Sequence, residues 1–167
     1  MRTEPLWTGY RHRAVDDDGW ITFWRLDPRG QNLDLTDWTA TPDKPGHRLW
    51  SRAATPAGVR AAWRTSATAF TLEIRAEPDL SAKIGPVDVL ADDTLLQRCE
   101  LEPGEQVIRV QLPAESVRLE IWLPQAGVIG VRAAAFEGVA VPLPPTGPRW
   151  ITYGSSITQC SGAYGPS

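Results

Sequence analysis

Phe70-Thr71-Leu72-Glu73-Ile74-Arg75-Ala76 is the stretch on which the fold turns. Phe70, Leu72 and Ile74 alternate with Thr71, Glu73 and Arg75, the period of two at which successive side chains leave opposite faces of an extended backbone. Such a strand buries one face and wets the other. The same alternation returns at Val117, Leu119 and Ile121, set against Arg118 and Glu120. Working outward in both directions, short segments rich in Val, Ile, Thr and aromatics recur between Pro, Gly and Asp punctuation. They predict strands over 6–12, 20–26, 48–53, 59–66, 70–76, 87–91, 95–101, 105–111, 116–122 and 128–136. Asp17-Asp18-Gly19 and Glu102-Pro103-Gly104 carry turn chemistry and predict hairpins at both places. No amphipathic helix of useful length interrupts this series before residue 150, so the expected fold is all-β, an antiparallel, jelly-roll-like β-sandwich with a barrel as the alternative. Residues 27–46 mix prolines and glycines with Leu33, Leu35 and Trp38 in no regular period and read as a long ordered loop.

Pro142-Leu143-Pro144-Pro145-Thr146-Gly147-Pro148 closes the series, because repeated proline removes backbone donors and stiffens the chain. The expected organisation is a sandwich over 1–143, a Pro-rich linker at 144–148 and the beginning of a second unit over 149–167.

Composition narrows the partners. The 167 residues carry a formal net charge of -3 with no clustered Lys or Arg, so a nucleic-acid partner has no electrostatic footprint. No stretch approaches the roughly 20 apolar residues that span a bilayer, and the first residues lack the apolar run of a signal peptide. The expectation is a cytoplasmic chain without a membrane partner. Cys99 and Cys160 stand far apart with no second ligand at metal spacing, which predicts reduced thiols and neither metal nor cofactor.

Chemistry enters after the linker. Arg149-Trp150-Ile151-Thr152-Tyr153 is strand-like, Gly154-Ser155-Ser156-Ile157-Thr158 turns it, and Gln159-Cys160-Ser161 can open a helix. A serine at such a bend suits nucleophilic attack, since glycine permits the tight path and N–H groups at a helix start face developing negative charge. Ser156 is the candidate. A bare Gly-x-Ser also arises by chance in a chain of this size, and serine after glycine is a common helix cap, so the wider setting carries the reading.

That setting, a β-sandwich, a Pro-rich linker, an apolar strand and then Gly154-Ser155-Ser156-Ile157-Thr158, resembles block I of the SGNH/GDSL hydrolase superfamily. The usual form of that block is Gly-Asp-Ser, an aliphatic residue and often Thr. Residues 150–160 with Gly165-Pro166-Ser167 look like the bacterial two-domain members that carry a carbohydrate-binding-module-like sandwich in front, among them esterases and an antibiotic-biosynthesis acyltransferase. The resemblance implies that 149–167 begins an SGNH domain and that Ser156 is the nucleophile and a donor of the oxyanion hole. It implies a parent enzyme that acts on an acyl-ester small molecule or glycoside without a cofactor. Ser155 departs from the pattern, standing where Asp is usual. The later Gly and Asn of the oxyanion hole and the Asp-x-x-His base would lie past Ser167, so this chain alone is expected to be inactive. His12 and His47 belong to the sandwich and read as structural residues. Residues 149–167 would dock on the sandwich, on a neighbouring copy through the exposed strand 149–153, or stay mobile.

The alternative function is a non-catalytic carbohydrate-binding sandwich. Eight tryptophans support it, with Trp7, Trp20, Trp24, Trp38, Trp50 and Trp63 in the first half. Exposed rings stack on sugars, and Asp16, Asp17 and Asp18 could accept from hydroxyls. Against this, tryptophan in strands usually packs inside, and an acidic run beside glycine is usually a solvated turn. A third class is a scaffold that shapes the rim of a neighbouring active site.

Overall fold

A computed structural model describes residues 5–25, 52–79 and 82–146. Over these the chain is nearly all β. In chain order the strands are β1 (His12–Val15), β2 (Ile21–Trp24), β3 (Arg60–Thr65), β4 (Ala69–Glu77), β5 (Val87–Ala91), β6 (Thr94–Cys99), β7 (Gly104–Gln111), β8 (Val117–Trp122), β9 (Val128–Phe136) and β10 (Ala140–Pro142). They form two five-stranded antiparallel sheets, sheet A in the order β1-β2-β9-β4-β7 and sheet B in the order β10-β3-β8-β5-β6. This is the sandwich that the alternating segments predict.

The core follows from those segments. Phe70, Leu72 and Ile74 of β4 are buried inward, while Thr71, Glu73 and Arg75 are half-buried on the opposite face. Ile129, Val131 and Phe136 join them from β9, and Trp63, Leu119 and Ile121 come from sheet B. Trp63 of sheet B meets Phe70 and Phe136 of sheet A with centroids 5.8 and 5.4 Å away, and the two phenylalanines lie 5.0 Å apart. Tilted rings at these separations bind the sheets to one another.

The expected hairpin at 17–19 forms between β1 and β2, with Val15 opposite Ile21 and Gly19 at φ +82°. A second hairpin joins β5 to β6 through Asp92 and Asp93, whose φ values of 46° and 65° give both turn residues the positive φ a two-residue primed turn needs.

Glu102-Pro103-Gly104 does not make a hairpin. β6 is the outer strand of sheet B beside β5, and β7 is the outer strand of sheet A beside β4, so this turn carries the chain from one sheet to the other. Partner choice is set by burial. Ile108 and Val110 of β7 lie opposite Leu72 and Phe70 of β4 and complete the apolar rows that β4 begins.

Two other expectations change. Residues 6–12 do not form a continuous strand: Thr8 makes a single bridge to Arg60, and pairing resumes only at His12. Gly9 breaks the run with φ +88°, and a Cβ there would stand 2.2 Å from the Gly58 carbonyl oxygen. Of 48–53, Arg52 and Ala53 are described and are helical rather than extended. The loop expected over 27–46 lies outside the described residues. An additional strand, β10, pairs Val141 with Arg64 and Pro142 with Trp63, so the Pro-rich stretch starts as the edge of sheet B. Proline is tolerated there because an edge strand has one side without ladder partners.

Candidate functional site

Ser156 lies outside the described residues, as do His47 and Cys160. His12 is half-buried at the start of β1, opposite Trp24. Cys99 is a buried free thiol at the end of β6, and burial pushes its pKa up, which keeps it protonated and unreactive. Among the described residues no group of three or more His, Cys, Asp or Glu could hold a metal ion. Nor is any helix among them long and apolar enough to cross a membrane.

The aromatic platform is corrected at four positions, because Trp7, Trp20, Trp24 and Trp63 are all buried. Trp7 and Trp63 belong to the core between the sheets, where Trp7 meets Phe23 at 5.3 Å. Trp24 and Trp20 belong to the outer side of sheet A, but neither is offered to a ligand. Trp24 packs with Ala53, Ala54 and Val128. Trp20 is 2% exposed, with the Arg132 and Arg75 guanidinium carbons 4.3 and 5.1 Å from its ring centroid. Each ring buries more apolar area by packing than a solvated platform would allow. Trp38, Trp50 and Trp150 lie outside the described residues.

The acidic run beside these rings builds a turn. Asp16 Oδ1 accepts from the Trp20 amide at 2.8 Å and the Asp18 amide at 3.1 Å, and Asp16 Oδ2 accepts from Arg75 Nη2 at 3.0 Å. Burial alone would raise the Asp16 carboxyl, but the Trp20 amide and Arg75 outweigh it and hold the pKa below the ordinary value of 3.8. Asp17 and Asp18 are exposed.

Sheet B carries the other constellation. Register places Arg60 opposite Trp122, Ala62 opposite Glu120 and Arg64 opposite Arg118, so these six side chains share its outer face. The alternation of 117–122 points Glu120 toward water, and here the structure differs: Glu120 does face outward, yet it is 3% exposed. Trp122 Nε1–H donates to Glu120 Oε2 at 2.8 Å, and the Arg118 guanidinium pairs with Oε1. Arg60 Nη1 stands 3.9 Å from Oε2 while its guanidinium lies 4.6 Å from the Trp122 ring centroid. Donors from three side chains thus surround one carboxylate, an arrangement in which a charge can leave water without being stranded. Arg118 also reaches Asp93 at 2.9 Å. One register further, Asp88 is buried and held by Arg98 through two bonds of 2.7 and 2.9 Å. The sequence signal for the Glu120 cluster is Glu120-x-Trp122, since residues two apart in a strand share a face.

A cavity of about 140 Å³ opens over Glu120, bounded by Leu6 and Thr8 on one side and by residues 143–146 on the other. Leu143 N–H donates to the Ala62 carbonyl at 2.8 Å, which fixes the exit of the chain across the outer face of sheet B. Glu120 and Asp88 are each engaged by arginine, so the cluster organises a surface rather than presenting a free acid or base.

No protein-family model matches the chain. No curated protein matches it either. Among solved structures, a salicylyl-acyltransferase, SsfX3, from a tetracycline biosynthetic pathway aligns over 86% of this chain with a TM-score of 0.66 and 24% identity. The likeness is one of fold. The chain spans 39% of that structure's length. The two-sheet architecture therefore recurs as part of a longer acyltransferase, and the SGNH resemblance continues to rest on residues 150–167.

Proposed function

We propose that this chain is the front part of a serine-dependent enzyme that cleaves or transfers acyl esters, with a sandwich over 1–143, a linker at 144–148 and a catalytic unit that starts at 149. The observation that carries this reading is the order of parts: a sandwich of the shape found in an acyltransferase, then a Pro-rich segment, then Gly154-Ser155-Ser156-Ile157-Thr158. Ser156 Oγ attacks the ester carbonyl, a histidine beyond residue 167 takes its proton, and the alcohol departs with a proton returned by that base. The Ser156 N–H helps to hold the tetrahedral oxyanion, and water or a second alcohol then accepts the acyl group.

Support against the sugar-binding alternative comes from the described residues alone, among which Trp7, Trp20, Trp24 and Trp63 are buried. In the intact parent, Ser156→Ala should abolish turnover of a short aryl ester, a loss of about 10³-fold or more, with the circular-dichroism spectrum unchanged. Retained turnover would reject Ser156 as the nucleophile.

A further inference from the structure

The outer side of sheet B keeps an apolar margin where the chain leaves the sandwich. Val139 and Val141 are 64% and 56% exposed, and Leu6, across the cavity, is 45% exposed. Ala140 between the two valines is buried in the core, so both valines point outward. Leu143 continues the row beside Ala62, and Pro144 and Pro145 extend it, exposed and stiff. Sheet A has no such margin at Trp20 and Trp24, which are already packed.

The sequence says what could lie against this strip. The next 21 residues, 147–167, begin at its end and carry Trp150, Ile151 and Tyr153 within their first seven positions. Trp150 follows Thr146 by four residues, a reach of up to about 13–14 Å at 3.3–3.6 Å per residue, and Thr146 lines the same cavity as Leu6 and Leu143. Exposed apolar surface of this kind marks a contact site, and this segment is the apolar stretch that follows the margin directly in sequence.

We propose that the margin formed by Leu6, Val139, Val141 and Leu143 is the seat of the segment that follows Thr146, so that the unit bearing Ser156 is held against sheet B instead of swinging on its linker. The inference rests on the two-unit reading but not on Ser156 being a nucleophile. The Arg60–Glu120–Trp122 cluster forms the polar rim of the seat, as polar groups commonly border an apolar contact.

The test uses the 167-residue chain. Trypsin cleaves after Arg149 and chymotrypsin after Trp150 and Tyr153, so the rate of cutting at these bonds reports docking. Docking predicts cutting at least tenfold slower in the wild type than in Val141→Glu with Leu6→Glu, two exposed positions whose change spares the core. Near-ultraviolet circular dichroism confirms that the variant keeps its packing. Hydrogen exchange at amides 150–153, slower in the wild type than in the double variant, is the independent readout. Equal cutting and equal exchange in both proteins would overturn the proposal. Protection that grows with protein concentration would also overturn it, by assigning the margin to a second copy. Ser156→Ala should leave the protection unchanged, so loss of the catalytic reading and loss of the docking reading are seen in different measurements.

Discussion

Trp24 and Glu120 both stand on outward sides of their sheets, and both are withdrawn from water, by opposite means. Trp24 on sheet A packs under Ala53 and Ala54 with Val128, an apolar cover from elsewhere in the chain. Glu120 on sheet B is covered by its own neighbours, with Arg60, Arg118 and Trp122 lying across it. A face closed by apolar packing gains from hydrophobic transfer and cannot be opened without exposing a ring. A face closed by long arginines stays polar on its surface and can accept a partner without repacking. The difference separates the two sites: sheet A is already covered at Trp20 and Trp24, while sheet B leaves Val139 and Val141 exposed at its β10 margin.

The largest expected effect probes the closed face. Trp24→Ala removes a large buried side chain and should lower unfolding free energy by about 3–5 kcal/mol, read from urea denaturation. A loss below about 1 kcal/mol would mean that the cover over sheet A contributes little and that the contrast between the faces is false. Glu120→Gln tests the other closure, where Arg60 and Arg118 would lose their shared anion. Both arginines reach solvent, so about 1–2 kcal/mol is expected, less than for a fully buried pair. No loss at all would show that the cluster is a surface coincidence.

Two smaller effects sharpen the picture through pH. The Asp16 carboxyl has a folded pKa below its unfolded value, so its stabilisation is present above about pH 4 and is lost as pH falls through the folded value. Asp16→Asn should therefore cost about 1 kcal/mol at pH 7 and progressively less in acid, followed by thermal melts across pH 2–7. Glu77 behaves with the opposite sign. Burial, partly offset by Arg75, raises its carboxyl above the ordinary 4.5, so ionisation penalises the folded state as pH rises through the raised value. Glu77→Gln should give a gain of under about 1 kcal/mol at pH 7 that disappears below about pH 4.

Much of the sandwich was legible because half-buried strands carry a period of two. The ranges 87–91 and 128–136 coincide with β5 and β9, and Phe70, Leu72 and Ile74 point inward as their spacing requires. Pairing was harder to read. Glu102-Pro103-Gly104 marks a bend, but which sheet receives the next strand depends on Ile108 and Val110 meeting Leu72 and Phe70, contacts remote in sequence. Glu120 was misplaced for a related reason: alternation gives the face a side chain takes, and only the neighbouring strand reveals that Arg60 lies over it. The tryptophan count says nothing of depth, and burial of Trp20 and Trp24 on an outer side needed segments far apart in the chain. The candidate nucleophile was readable only through a motif, and it lies outside the described residues.

Strand order in sheet A has a consequence for how the protein is made. β9 sits between β2 and β4, so until residues 128–136 have left the ribosome those two strands have no bridge between them. Most of the pairings join distant segments, and chains dominated by such contacts close slowly, in milliseconds to seconds. During that interval the sides of β2 and β4 that await β9 are unpaired templates for another nascent chain, which makes the emergence of β9 the step at which crowding and temperature would most affect the yield of folded protein.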